Sequence, residues 1–245
     1  MRESFTFLGQ LRQWWRDTRR QRSPLSAAGR LACDFWEMLR DLTPARRRLR
    51  YGDLDYDWEH GVSTTWAHPA LRTRVREVLA GRQYMPTEPY LFRSFLAELP
   101  IACDRFTFLD LGCGKGRALL LASEWPFRRI VGVELLPELY RIAQENVARF
   151  QQGAERQRFE LHCGDARRFA FPSGPLVIFL FDPFPETVLA DVLANLRHSL
   201  AAEPREVHIV YENPISEHVL SGESWLQRVR GDAVVAFYRA RLPGE

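Results

Sequence analysis

Asp110 is followed at alternate positions by glycine, at 112, 114 and 116. Glycine accepts positive φ and lets a ligand lie against bare backbone, so a carboxylate beside three glycines is suited to binding rather than to packing. Further along, Glu134, Gly164-Asp165-Ala166, Asp182-Pro183-Phe184 and Tyr211-Glu212-Asn213 each close an apolar run with polar groups. Spacing narrows the ligand class. A phosphate loop needs G-x-x-x-x-G-K-[ST], whereas Lys115 is followed by Gly116 and Arg117. A dinucleotide fingerprint, G-x-G-x-x-G, would place its third glycine at 117, where the chain has arginine. An acid just ahead of the first glycine repels a pyrophosphate and attracts a ligand with positive charge.

These groups need strands and helices to hold them. Phe106, Phe108, Leu109 and Leu111 predict a short buried strand, and the Ala/Leu-rich run from Arg117 to Ser123 predicts a helix opening. The free N–H groups of that helix would face the ligand. "RRIVGVE", "FELHC", "PLVIFLF" and "EVHIVYE" predict four more strands, and continuous apolar runs of this kind suit the middle of a parallel sheet. Helices are expected over 116–125, 137–150 and 185–201. "SWLQRVRGDAVVAFYRARL" predicts a turn-linked antiparallel pair at the sheet edge. The acids then fall at strand carboxyl ends, where open α/β sheets bind ligands. Taken singly, Asp110 and Glu134 are also ordinary turn and helix-entry residues; their order along the chain makes them a set.

"LDLGCGKG" and the motifs after it resemble the class I, seven-strand, Rossmann-like methyltransferases that use S-adenosylmethionine (SAM), a cofactor carrying an ammonium and a sulfonium. The resemblance implies an α/β fold, a mostly parallel seven-strand sheet with helices on both faces, over residues 84–245. It implies that the loop of Gly112, Gly114 and Gly116 lies under the methionine and ribose, with Asp110 at the methionine end. By the same resemblance Glu134 and Leu135 meet the ribose, Asp165 and Ala166 the adenine, and Asp182 the point where donor methyl meets acceptor. Upstream, Tyr84 and Thr87 precede a helix expected over 88–99, with Thr87 as its N-cap. A Tyr-x-x-Thr element ahead of the glycine motif resembles the non-SET seven-strand lysine methyltransferases, in which the threonine contacts the methionine moiety. "FDPF" is similar to their motif after the fourth strand, with Asp182 for asparagine, and departs from the Asn/Asp-Pro-Pro-aromatic signature of amino-group methylases. The implied activity is methyl transfer to a protein amine or a small-molecule acceptor, with Asp182, Phe184 and Tyr211 at the reacting end and no metal. Two other readings share these residues: a SAM-binding partner without turnover, and an NAD(P)-linked oxidoreductase using Gly112, Gly114 and Glu134.

Residues 1–83 have another character. The first fifty hold twelve arginines against five acids, and Phe7, Leu8, Leu11, Trp14 and Trp15 recur at helical spacing. A basic helical extension of this kind suits packing over the following domain or homodimer formation; an anionic membrane surface or a nucleic acid is the alternative partner. "YGDLDYDWEHGVSTTWAHP" predicts a loop-rich acidic and aromatic connection, with Asp55, Asp57, His60 and Trp66 as candidate substrate contacts. Cys33, Cys103, Cys113 and Cys163 have no paired metal spacing, which predicts a reduced, cytoplasmic protein. At 245 residues with 46% hydrophobic content, the chain can bury one full α/β core.

Overall fold

The computed structural model describes residues 54–65, 85–150 and 158–241. The chain divides into two compact units, one of residues 1–59 and 65–85, the other of residues 60–64 and 86–245. Helix α1 (Leu54–His60) runs through a stretch expected to be loop, and in the first unit the Asp57 carboxylate accepts from both the N–H and the hydroxyl of Thr65 at 2.7 Å. That bonding engages Asp57 in holding its own chain. The basic extension over 1–53, Trp66, Tyr84 and the Asp55 side chain lie outside the described residues.

The second unit is built on one seven-stranded sheet in the order β3-β2-β1-β4-β5-β7-β6. The strands are β1 (Thr107–Leu111), β2 (Arg129–Glu134), β3 (Phe159–Cys163), β4 (Leu176–Phe181), β5 (Val207–Glu212), β6 (Leu226–Gly231) and β7 (Val235–Ala240). Strands β1 to β5 pair in parallel, and β7 runs antiparallel to both β5 and β6. This is the Rossmann-like seven-strand sheet. Its strand order reverses between β1 and β4, the switch point at which open sheets leave a crevice.

Helices cover both faces, since side chains alternate along each strand. On one face Leu109, Val131, Ile178, Ile209, Tyr211 and Tyr238 pack with Leu189, Val192, Leu193 and Leu196 of α5 (Glu186–Ala202) and Leu220 of α6 (Glu217–Ser221). The other face meets α2 (Pro89–Ala97), α3 (Arg117–Ala122) and α4 (Pro137–Phe150). There Phe92 of α2 lies edge-on to Phe108 and Phe179, at ring separations of 5.9 and 5.1 Å, and Phe95 meets Phe237 at 6.5 Å. Burying these aromatic rings is what fixes α2 to the sheet, each fully buried ring contributing roughly 2–3 kcal/mol.

Two helix starts differ from expectation, for local reasons. The N-cap of α2 is Glu88, whose carboxylate accepts from Tyr90 N and Leu91 N, and Pro89 opens the helix. Thr87 is thereby left outside the helix. Helix α3 begins at Arg117 because Gly116 stands at φ 87 and cannot join it.

Candidate functional site

All three glycines of the loop after β1 have positive φ, at 89, 54 and 87 for Gly112, Gly114 and Gly116. The loop is clamped to the second strand. Gly112 N and Cys113 N donate to Val133 O, while Glu134 accepts from Gly114 N on one oxygen and from Leu136 N on the other, each at 2.8 Å. A side chain at 112 would collide with Pro183, whose Cβ stands 2.6 Å from where the new Cβ would sit. Gly112 therefore brings the β1 and β4 loops together as well as keeping bare backbone at the crevice.

Asp110, Glu134 and Glu212 share the sheet face of α2, α3 and α4. Asp110 pairs in register with Gly132 and Phe179, so Glu134 and Glu212 each lie one pleat nearer the carboxyl edge on the same face. All three are buried, at 4, 6 and 4% exposure. Burial first, and then the Glu134 and Glu212 charges, push the Asp110 carboxyl well above its ordinary value. Burial likewise raises Glu134, against its bonds from Leu136 N and Gly114 N. Glu212 is pushed up to about 7, mainly by burial and further by Glu88, although Thr87 donates its hydroxyl to Glu212 Oε2 at 2.6 Å. Among the described residues no side chain or backbone group hydrogen-bonds the Asp110 carboxylate. Asp110 thus carries the repulsion of both glutamates on top of burial, and a cation beside it would relieve that repulsion.

The opposite face carries a different device. Tyr211, wholly buried, donates its hydroxyl to Asp182 Oδ1 at 3.2 Å and accepts from Ser216 N at 3.3 Å. Burial and the Asp182 charge push the phenol up to about 12, so it stays a donor. Asp182 and Asn213 stand at φ 39 and 50, uncommon for residues with a side chain, at the ends of β4 and β5. Tyr211 thus ties two strained turns together from beneath. Phe184 leans on the same core rather than on the carboxylate face.

At the β3 end, Asp165 caps the short turn Ala166–Arg168 and takes Arg167 Nε and Nη2 on its carboxylate at 2.7 to 3.1 Å. Those bonds hold its carboxyl below the ordinary value against the effect of burial. Ala166 is buried and Leu135 half-buried beside Glu134. His60 stacks on Phe150 at 5.3 Å.

Four residues that motif reading passed over brace the glycine loop from outside. Asn146 of α4, fully buried, accepts from Ser63 N and donates to both Ser63 O and Lys115 O. Arg117 Nε donates to Thr64 Oγ1 at 2.6 Å. Lys115, within the loop, is itself packed at 1% exposure. The available signal was an asparagine on the apolar face that Leu139, Ala143 and Val147 define on α4. No helix among the described residues is long and apolar enough to cross a membrane.

Residues 108–203 match the family model described as a methyltransferase domain. The trans-aconitate 2-methyltransferase of Azoarcus sp. (strain BH72) is 31% identical over 157 residues, which is 59% of this chain and 55% of that protein. The release factor glutamine methyltransferase of Vibrio cholerae serotype O1 is 35% identical over 128 residues, 48% of this chain and 43% of that protein. The chain thus spans about half the length of the curated relatives it matches. Among solved structures, the glycopeptide N-methyltransferase MtfA complexed with sinefungin is similar with a TM-score of 0.48 and 14% identity, over 65% of this chain and 88% of that one.

Proposed function

We propose, from the match of residues 108–203 to the methyltransferase-domain family, that this protein transfers a methyl group from SAM to an amine acceptor, on a protein or a small molecule. The observation that carries the reading is the trio Asp110, Glu134 and Glu212, buried on one face at the carboxyl edge around a glycine loop with three positive φ values. The repulsion that the two glutamates place on Asp110 fits a ligand that brings positive charge.

The residues suit such a cofactor. Asp110 has an open carboxylate for the ammonium of the methionine moiety. Each Glu134 oxygen accepts one N–H and keeps a second lone pair for a ribose hydroxyl. Asp165 and Ala166 flank the adenine end. When bound, the cofactor supplies an electrophilic methyl on a positively charged sulfur. The chain's part is to hold an acceptor lone pair in line behind that methyl and to exclude water. The strained turns at Asp182 and Asn213, pinned by Tyr211, form the wall against which the acceptor is placed.

Acidity of the crevice also bears on the acceptor. A carboxylate acceptor, as the name of the Azoarcus relative indicates for that protein, would meet like charge here, whereas an amine is attracted until it gives up its proton. The amide acceptor named for the Vibrio relative belongs to a protein of which this chain covers 43%. The test is transfer of radiolabelled methyl from SAM by the purified protein into a fractionated cell lysate. Label in a protein or amine-metabolite fraction is the expected result. Label only in carboxylic acids would overturn the amine acceptor, and SAM binding with no label anywhere would favour a binding protein without turnover.

A further inference from the structure

Methyl transfer removes one positive charge from the cofactor, because the sulfonium becomes a neutral thioether. A site that holds a carboxylate close to that sulfur therefore binds the spent cofactor, S-adenosylhomocysteine (SAH), less well than SAM. The carboxyl edge offers three candidate acids, and they differ in what already occupies them. Glu134 is engaged by Gly114 N and Leu136 N, at the β2 side where the ribose hydroxyls belong. Asp110, on β1, lies deepest, one pleat further from the edge. Glu212 is on β5, paired in register with Phe181, the residue just before Asp182. Asp110 and Glu212 both flank β4, but Asp110 pairs with Phe179 and Glu212 with Phe181, one pleat nearer the end where the SAM-dependent reading puts the donor methyl.

We infer that Glu212, oriented by Thr87, senses the charge on the donor sulfur and makes the site prefer SAM over SAH. This rests on the SAM-dependent reading of the same crevice. Three observations support it beyond the presence of an acid. Glu212 is 4% exposed, so its charge is poorly screened by water. Thr87 fixes one oxygen, Oε2, with a 2.6 Å bond across 125 residues of sequence, and no described residue hydrogen-bonds Oε1. Asp110, nine-tenths buried and without a hydrogen bond from any described residue, lies on the same face and is coupled to Glu212 by charge. The two acids stand on β1 and β5, on either side of β4 and on the same face of the sheet. The elevated proton affinity of Glu212 is the expected mark of a carboxylate awaiting a cation.

A role for Glu212 in holding the amino-acid part of the cofactor would leave a different signature. SAM and SAH both carry that ammonium, so such a role would weaken both ligands alike. Calorimetric titration of the full chain with SAM, SAH and sinefungin separates these cases without any acceptor. Sinefungin carries an amine in place of the methylated sulfur, and so mimics the charge. The wild-type protein should bind SAM and sinefungin about tenfold or more tighter than SAH. Glu212→Gln should cut that preference by about tenfold, with SAH affinity nearly unchanged. Thr87→Val keeps the carboxylate but loosens it, and should cut the preference by about threefold, which gives a reading even should the glutamine variant fold poorly. Equal wild-type affinity for SAM and SAH would overturn the inference. So would a preference that survives both substitutions, or a parallel loss for all three ligands. Binding of none of the three by the wild-type protein would instead remove the SAM-dependent reading itself, and this inference with it.

Discussion

The two faces of the sheet reach the carboxyl edge with different chemistry. On the α2–α4 face the last polar groups are Asp110, Glu134 and Glu212, acids whose proton affinity burial raises, with the charges of the two glutamates adding to it at Asp110. On the α5–α6 face they are Tyr211 and, through it, Asp182 and Ser216, neutral or singly charged groups bonded to one another. Tyr211 and Glu212 are neighbours in sequence and lie on opposite faces, since a strand alternates its side chains. Adjacency in a strand-end motif is therefore no guide to shared function. One face leaves its electrostatic demand open for a ligand; on the other, Tyr211 ties Asp182 to Ser216 N and supplies rigidity, with only Ser216 Oγ of that set left without a partner among the described residues.

Removing the open acids should produce the largest effects and should separate two kinds of acid within the first face. Asp110→Ala is expected to weaken SAM binding by about a thousandfold while leaving stability unchanged or improved, because a buried carboxylate with raised proton affinity costs the fold. Glu134→Ala should weaken binding to a similar degree and also destabilise, by roughly 2–3 kcal/mol, because Gly114 N and Leu136 N lose their acceptor. Calorimetry with SAM and urea unfolding on both variants check this. Unchanged SAM affinity in both would contradict the placement of the cofactor.

Glu212 gives the next effect, and it appears in pH dependence. Its carboxyl is pushed up to about 7 in the folded protein from an ordinary 4.5, with Asp110 and Glu88 the other acids that bear on it. Below the ordinary value both folded and unfolded forms are protonated and the full stability is present. As pH rises through the folded value, the buried charge must form and stability falls, by on the order of 3 kcal/mol. Glu212→Gln removes the cost while its amide oxygen still accepts from Thr87. The variant should match the wild type near pH 4 and exceed it at pH 8 by about that amount. Unfolding curves for the two proteins that stay parallel across this range would show that Glu212 does not titrate as described.

Much of this architecture is legible in the sequence, and the exceptions have physical causes. Strands β1, β2, β4 and β5 announce themselves as continuous apolar runs, because a parallel sheet buried on both faces needs nothing else. Asp110, Gly112, Gly114 and Gly116 are readable as well, since few other roles call for that spacing. The partner of Thr87 is not: Glu212 lies 125 residues away, and only the docking of α2 through Phe92 and Phe95 brings the two together. Glu88 took the N-cap position from Thr87 because Pro89 fixes the first helical residue, a preference that competes locally with threonine capping. The seam of Ser63, Thr64, Asn146 and Arg117 escapes a motif search, because it joins polar residues from three separated segments and each looks ordinary where it stands.

The smallest effect decides whether the second face is scaffold or chemistry. Tyr211 stands among the residues expected at the reacting end, yet its hydroxyl is bonded between Asp182 Oδ1 and Ser216 N and its ring is wholly buried. Tyr211→Phe keeps the ring packing and deletes only those two bonds, so stability should fall by about 1–2 kcal/mol. Asp182 and Asn213 would keep their positive φ with less to hold them, and turnover should fall a few-fold through looser acceptor placement, with SAM affinity unchanged. Direct participation of the hydroxyl in the reaction predicts the reverse pattern, a loss of turnover of about a hundredfold or more at unaltered stability. Measuring unfolding and single-turnover methyl transfer on the same preparation distinguishes the two, because a positioning residue must move both quantities together and a reacting one need move only the rate.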